Sequence, residues 1–526
     1  MHVLAYAPLG ADGVIVRVEV DIRRGIPGID ITGLADGAVK EARERIRAGF
    51  RNSGFKFPSD RILINLAPAD VKKAGASLDL PIAISVMAAA GLVSIPGNLM
   101  VLGELELSGR VRPVRGVLAA LSAGLKAGIT EFIVPLQNAE EAALLPGLSF
   151  FAPATLAELY HALNVRAQTG ELPAVSFQKS SFKDNSFFGD FSEVKGQSRY
   201  KRALEIAAAG GHNLLVFGPP GSGKTMLARC FPGIMAPLSP DEAVEVTRLH
   251  SLAGQISGGL INRPPFRSPH HSASTEGILG GGRIVRPGEI TLAHFGTLFL
   301  DEAPEFRASV LQSLREPLED RQITIVRAEG PMKLPANFQL ILAANGCPCG
   351  RLGADFPAQG SDPGLAGCFC SPDEIRRYWR KLSGALLDRI ELRIPVSKPD
   401  VLTRGGEGEE GSDTIRERVI RAVEVQRNRF TEYHHKNRLG VVRRNADMSP
   451  ALIEAHCLLS KKAGEIFSLA SLRLGLSGRA CHGVLKIART IADLGGKDII
   501  DTHEILEAIQ HRRFGDDPYD ILSAGE

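Results

Sequence analysis

The octapeptide Gly218-Pro219-Pro220-Gly221-Ser222-Gly223-Lys224-Thr225 constrains this chain more than any other stretch. It satisfies the phosphate-loop pattern G-x-x-x-x-G-K-[ST], and its flanks supply the context that pattern needs. The apolar run Asn213–Phe217 reads as a buried strand, and Met226–Cys230 as the opening of a helix. Glycines let backbone N–H groups converge on phosphate oxygens, and the helix N-terminus adds favourable partial charge. In that chemistry Lys224 reaches the β- and γ-phosphates, and the Thr225 hydroxyl holds Mg²⁺. The motif implies a bound nucleoside triphosphate.

A second motif points to hydrolysis. Gly296–Leu300 is an apolar strand that ends in Asp301 and Glu302, at the end of a parallel sheet where ligands sit. Asp301 suits the Mg²⁺ shell, and Glu302 suits a general base that polarises the attacking water. A third apolar strand, Phe338–Ala344, ends in Asn345, a polar group fit to orient that water.

Composition bounds the rest. With 526 residues the chain exceeds one core and calls for two to four domains, and its 44% apolar and 23% charged residues are ordinary. A net charge of +3 permits nucleic-acid contact without arguing for it. No apolar stretch is long enough to span a bilayer, and no signal-peptide pattern opens the sequence. The 7 cysteines, an odd number, point to a reducing compartment, and the cytoplasm is the expected location.

Three segments separate. Residues 1–166 alternate strands (Val14–Val20) with helices (Ala38–Phe50, Pro81–Gly91) and read as α/β. A polar linker is expected over 167–190, the nucleotide-binding domain over 191–398, and a flexible loop over 399–413. Helices are expected at Thr414–Phe430, Ser449–Leu459, Gly478–Leu494 and Thr502–Arg512, in a C-terminal domain over 414–516 with a loose tail, 517–526.

A phosphate-loop α/β domain followed by a helical lid is the plan of AAA+ ATPases. The strings Phe266-Arg-Ser-Pro-His-His271, Arg286-Pro-Gly-Glu-Ile290, Asn345-Gly-Cys-Pro-Cys-Gly350 and Leu382-Ser-Gly-Ala-Leu-Leu-Asp-Arg-Ile390 resemble the Mg-chelatase-like ComM/YifB family. So do Gly33-Leu-Ala-Asp36 and Asn65-Leu-Ala-Pro-Ala-Asp70, and the resemblance covers nearly the whole chain. It implies a ribosomal-protein-S5-like N-terminal domain of the kind found in Lon proteases, an AAA+ domain and a C-terminal helical lid. It also implies a hexameric ring that uses ATP and Mg²⁺ to drive branch migration on DNA. Within it Arg389 matches an arginine finger offered to a neighbouring subunit, and Arg479 a second sensor of the γ-phosphate. Gln197 matches a segment near the base. Two other readings stay open: the ATPase subunit of a metal chelatase, and a nucleotide-controlled scaffold with no motor activity.

The Lon likeness places Ser77 at the nucleophile position, but Leu118 stands where the activating lysine belongs. No peptidase activity is expected, and Ser77 reads as a helix N-cap, with Lys126 facing water. Cys347, Cys349, Cys368 and Cys370 form two Cys-x-Cys pairs within an insertion over 347–370. They could close a structural Zn²⁺ site or remain free thiols. Cys230, Cys457 and Cys481 read as core. For DNA, three stretches are candidates: a hairpin carrying Arg327 and Lys333; an insertion with Arg263, Arg267, His270 and His271; and a basic run with Arg427, Arg429, Lys436, Arg438, Arg443 and Arg444.

Overall fold

The computed structural model describes residues 2–512, apart from 72, 74, 146, 174–188, 256–258, 283–284, 328–329, 353–367, 398–408 and 437–441. Most of the linker, the loop after 398 and the tail therefore lie outside the described residues.

In the N-terminal domain, alternating burial along Val14–Arg23 and Arg61–Ala67 makes half-buried strands of a seven-stranded mixed sheet. The strand His2–Ala7 sits in mid-sheet, antiparallel to Val14–Arg23 and parallel to Leu99–Val101. The helices Gly37–Asn52 and Asp79–Ala89 match expectation to within two residues, and the second is buried over nearly its whole length. Ser77 is not a helix cap. It lies inside a short 3₁₀ turn, Ala76–Leu78, and Leu78 precedes the helix without a side-chain cap. The last helix, Leu156–Thr169, runs past the expected domain end at 166.

The second sheet has five parallel strands in the order Phe266–Arg267, Thr297–Leu300, Gln339–Ala344, Leu214–Phe217, Leu392–Pro395. The middle three are buried at every position, as a parallel sheet covered on both faces requires. One face packs with the helix Ser198–Gly210 and the C-terminal helices: Leu214 and Val216 share a core with Leu204, Ala207, Val419, Val423, Val484 and Ile487. The C-terminal domain is thus fused to the nucleotide-binding domain through a common core.

Among the C-terminal helices, Gly478–Leu494 and Thr502–Arg512 fall where expected, whereas the first is longer, Ser412–Lys436. A further helix, Lys461–Arg473, escaped the periodicity because Leu469 and Leu472 point outward and only Ala463 is buried. The two larger domains are also joined. Ala11 belongs to the core cluster that also holds Phe217 and Leu298, Asp12 pairs with Arg248 at 2.9 Å, and the Gly116 N–H donates to the Ser251 carbonyl at 3.3 Å.

Candidate active site

The phosphate loop leaves the strand Leu214–Phe217 at Gly218. A Cβ there would come within 2.1 Å of the Val396 carbonyl oxygen, so only glycine lets the loop turn beside its neighbour strand. The helix opens at Lys224 itself, two residues earlier than the apolar pattern suggested. The Lys224 ammonium is nearly buried and donates to the Gly218 and Pro219 carbonyls, each at 2.8 Å. Burial pulls its pKa down to about 8, against the opposing pull of Asp301 and Glu302.

Thr225 and Asp301 meet beneath the loop, the hydroxyl donating to the carboxylate at 2.8 Å. Both groups suit one Mg²⁺, a hard cation that takes oxygen ligands. Glu302 adopts a left-handed backbone, φ 50, and its side chain is largely exposed. A non-glycine residue held there stores strain, which commonly accompanies function. The His271 imidazole lies 3.9 Å from the Glu302 carboxylate and 4.0 Å, ring to ring, from His270. Sequence alone did not connect the His-His pair with the acidic pair. Asn345 ends the neighbouring strand, its backbone N–H facing the Tyr378 hydroxyl. Gln197 straps the loop: its amide donates to the Ser222 carbonyl at 3.1 Å and to that of Ser397 at 2.7 Å.

Arg389 and Arg479 come together elsewhere. Ser477 caps the helix Gly478–Leu494 by accepting from the Ala480 N–H, which puts Arg479 in the first turn. Its guanidinium meets Glu319 at 2.5 Å, and Arg389 meets the same carboxylate at 2.7 Å. Partial burial works against the Glu319 charge, but the two guanidiniums outweigh it and its pKa falls below the ordinary glutamate value. Asn213 accounts for the placement of Arg389: its side chain donates to the Arg389 carbonyl at 2.9 Å, just before the strand Leu214–Phe217 begins. Gly218 leaves the other end of that strand. Four residues span roughly 13 Å, so this arginine pair sits at the opposite end of the sheet from its own phosphate loop.

The four cysteine sulfurs lie within 4.8 Å of one another, with Cys347–Cys349, Cys347–Cys368 and Cys349–Cys368 at 3.3, 3.4 and 3.6 Å. Zn–S bonds of about 2.3 Å in a tetrahedron separate sulfurs by about 3.8 Å, so the donor set fits zinc. Cys230 and Cys457 are buried as expected, whereas Cys481 is partly exposed.

Of the nucleic-acid candidates, the hairpin is present: Gln322–Arg327 pairs antiparallel with Gly330–Pro335, and Lys333 is exposed. Among its described side chains, the basic run does not form a free face. Arg427 and Arg443 pair with Glu242, Arg429 grips Asp493, Arg443 lies over the Phe295 ring, and desolvation lowers the pKa of Arg444 to about 10. The Glu242 pairs join the C-terminal helices to the sheet domain, and the Asp493 pair ties two of those helices to each other. Arg438 lies outside the described residues. Arg267 is likewise committed, to Glu289 at 2.6 and 2.8 Å.

Comparison with known proteins supplies the family. Residues 190–403 match the family described as magnesium chelatase, subunit ChlI, residues 18–138 match subunit ChlI of Mg-chelatase, and residues 409–512 match the ChlI C-terminal family. The chain is 40% identical to YifB of Escherichia coli over 517 residues, 96% of each chain, and 38% identical to competence protein ComM of Haemophilus influenzae over 518 residues, 97% of each. The chain belongs to the ComM/YifB family of magnesium-chelatase-like AAA+ proteins. Membership implies ATPase activity with ATP and Mg²⁺. The Lon protease of Clostridioides difficile is 33% identical over 139 residues, covering 25% of this chain and 17% of that protein. No helix among the described residues is long and apolar enough to cross a membrane.

Proposed function

We propose that this protein is a ring-forming, Mg²⁺-dependent ATPase, hexameric as the family resemblance implies, that translocates on DNA and drives branch migration. The meeting of Thr225 and Asp301 at 2.8 Å carries the ATPase part, because residues from two motifs converge on one Mg²⁺ position beside Lys224. ATP occupies the loop through backbone N–H groups of Gly218–Thr225, Lys224 neutralises the β- and γ-phosphates, Glu302 polarises water, and Asn345 orients it. Arg389 and Arg479 are too far along the sheet to serve their own nucleotide, so they act on that of the adjacent subunit. Hydrolysis thereby requires assembly. Arg327 and Lys333 on the hairpin contact the phosphate backbone in the central channel. A zinc ion in the four-cysteine cluster belongs to the same reading.

The test is a four-way junction incubated with ATP and wild-type protein, beside Lys224→Ala and Glu302→Gln. Only wild type is expected to dissociate the junction. ATP turnover that ignores branched and single-stranded DNA would favour the chelatase or scaffold readings instead.

A further inference from the structure

The strand that ends in Asn345 does not stop at the ATP site. Gly346 follows, its carbonyl accepting from the Trp379 indole at 2.9 Å, and Trp379 stands edge-on to Phe217 at the root of the phosphate loop. Cys347 comes next, fully buried in the core. The turn then closes, the Gly350 N–H donating to the Cys347 carbonyl at 3.0 Å. Gly350 has φ +77, and a Cβ there would stand 3.2 Å from Pro220 Cδ. Pro220 is the third residue of the phosphate loop. The cysteine turn is therefore wedged between the water-orienting Asn345 and the lip of that loop.

Four thiols this close have little to hold them together. They are weak donors and weak acceptors, and as thiolates they would repel. A divalent ion reverses that balance and fixes the turn. We infer that zinc bound by Cys347, Cys349, Cys368 and Cys370 sets the position of Asn345 and Pro220, so that metal loading governs nucleotide affinity. The metal acts through its ligands' backbone and touches no reacting atom. The coupling rests on the ATPase reading above; the metal site does not.

The experiment uses the full chain purified under reducing conditions. Elemental analysis reports zinc, and a fluorescent ATP analogue reports nucleotide affinity before and after extraction of the metal with a strong chelator. About one zinc per chain is expected, with affinity falling about tenfold on extraction and returning with stoichiometric Zn²⁺, within the usual range for coupling between two sites. Gly350→Ala keeps all four thiols but presses on Pro220. It should retain zinc and still bind the analogue more weakly, and so separates the linkage from any loss of folding in a cysteine variant. Protein without zinc overturns the metal site. Zinc whose removal leaves affinity unchanged overturns the coupling. Failure of the zinc-loaded protein to bind nucleotide sinks the ATPase reading and the coupling together, while the zinc content still judges the metal site.

Discussion

Glu319→Gln tests whether the arginine pair acts across a subunit seam. Glu319 holds Arg389 at 2.7 Å and Arg479 at 2.5 Å, with side-chain exposures of 41% for the glutamate and 12% and 53% for the arginines. Both guanidiniums must leave this carboxylate to reach phosphate on a neighbour. The Arg479 pair is exposed and contributes about 0.5 kcal/mol. The Arg389 bond is mostly shielded on the arginine side, so a charged hydrogen bond discounted for the exposed glutamate contributes about 1 kcal/mol. Together they oppose assembly by about 1.5 kcal/mol per seam, a factor of roughly ten. Glutamine keeps the shape and removes the competing charge. The assay is specific ATPase activity against protein concentration at saturating MgATP, and the half-maximal concentration should fall about tenfold. Arg389→Ala should be inactive with either residue at 319. An unchanged or raised midpoint for Glu319→Gln would refute the reasoning, because Glu319 would then be presenting the arginines rather than sequestering them.

Three further outcomes follow from the site and its supports. Lys224→Ala and Glu302→Gln should each lower turnover by about 10²-fold or more, with nucleotide binding lost in the first and kept in the second, checked with the same fluorescent analogue. The Lys224 pKa of about 8 in the free site rises when phosphate arrives; binding therefore takes up a proton above that pH, and affinity should weaken from pH 7.5 to 9.5, measured by titration. Asp493→Ala leaves buried Arg489 and half-buried Arg429 without their carboxylate, which should cost about 3–5 kcal/mol and lower the melting transition of the unit formed by the nucleotide-binding and C-terminal domains, which share one core, by about 5–10 °C in calorimetry.

Sequence disclosed what local rules govern. The strand Leu214–Phe217, the phosphate loop and the acidic pair were legible because a buried parallel strand is an unbroken apolar run, and glycines mark where it ends. Paired cysteines flagged a metal site. The approach of their turn to Pro220 was not legible, since it depends on the conformation of Gly350. Nor was the Arg389–Glu319–Arg479 cluster: the family resemblance picked out the two arginines, but Glu319 stands in no motif and lies on a separate element. The basic run failed for a related reason. Counting positive charges says nothing about Glu242 and Asp493, which lie on other helices and take those charges up.

The N-terminal domain shows what the Lon-like framework does here. Leu118, at the position of the missing lysine, is fully buried in a cluster with Tyr6, Leu121 and Phe132. Its N–H donates to Glu141 at 3.2 Å, and the same carboxylate accepts from Ser251 of the nucleotide-binding domain. Burial raises the Glu141 pKa, so this corner is already costly for charge. An ammonium at 118 would add to that cost at the joint between domains, whereas leucine fills it. The turn carrying Ala11 and Asp12 reaches the core and Arg248, and a Cβ on neighbouring Gly10 would lie 3.2 Å from the Lys333 carbonyl on the hairpin. A hairpin displaced by hydrolysis would therefore push on the N-terminal domain directly. The position that the Lon likeness assigns to a lysine is here part of the apolar packing beside the joint between the two domains.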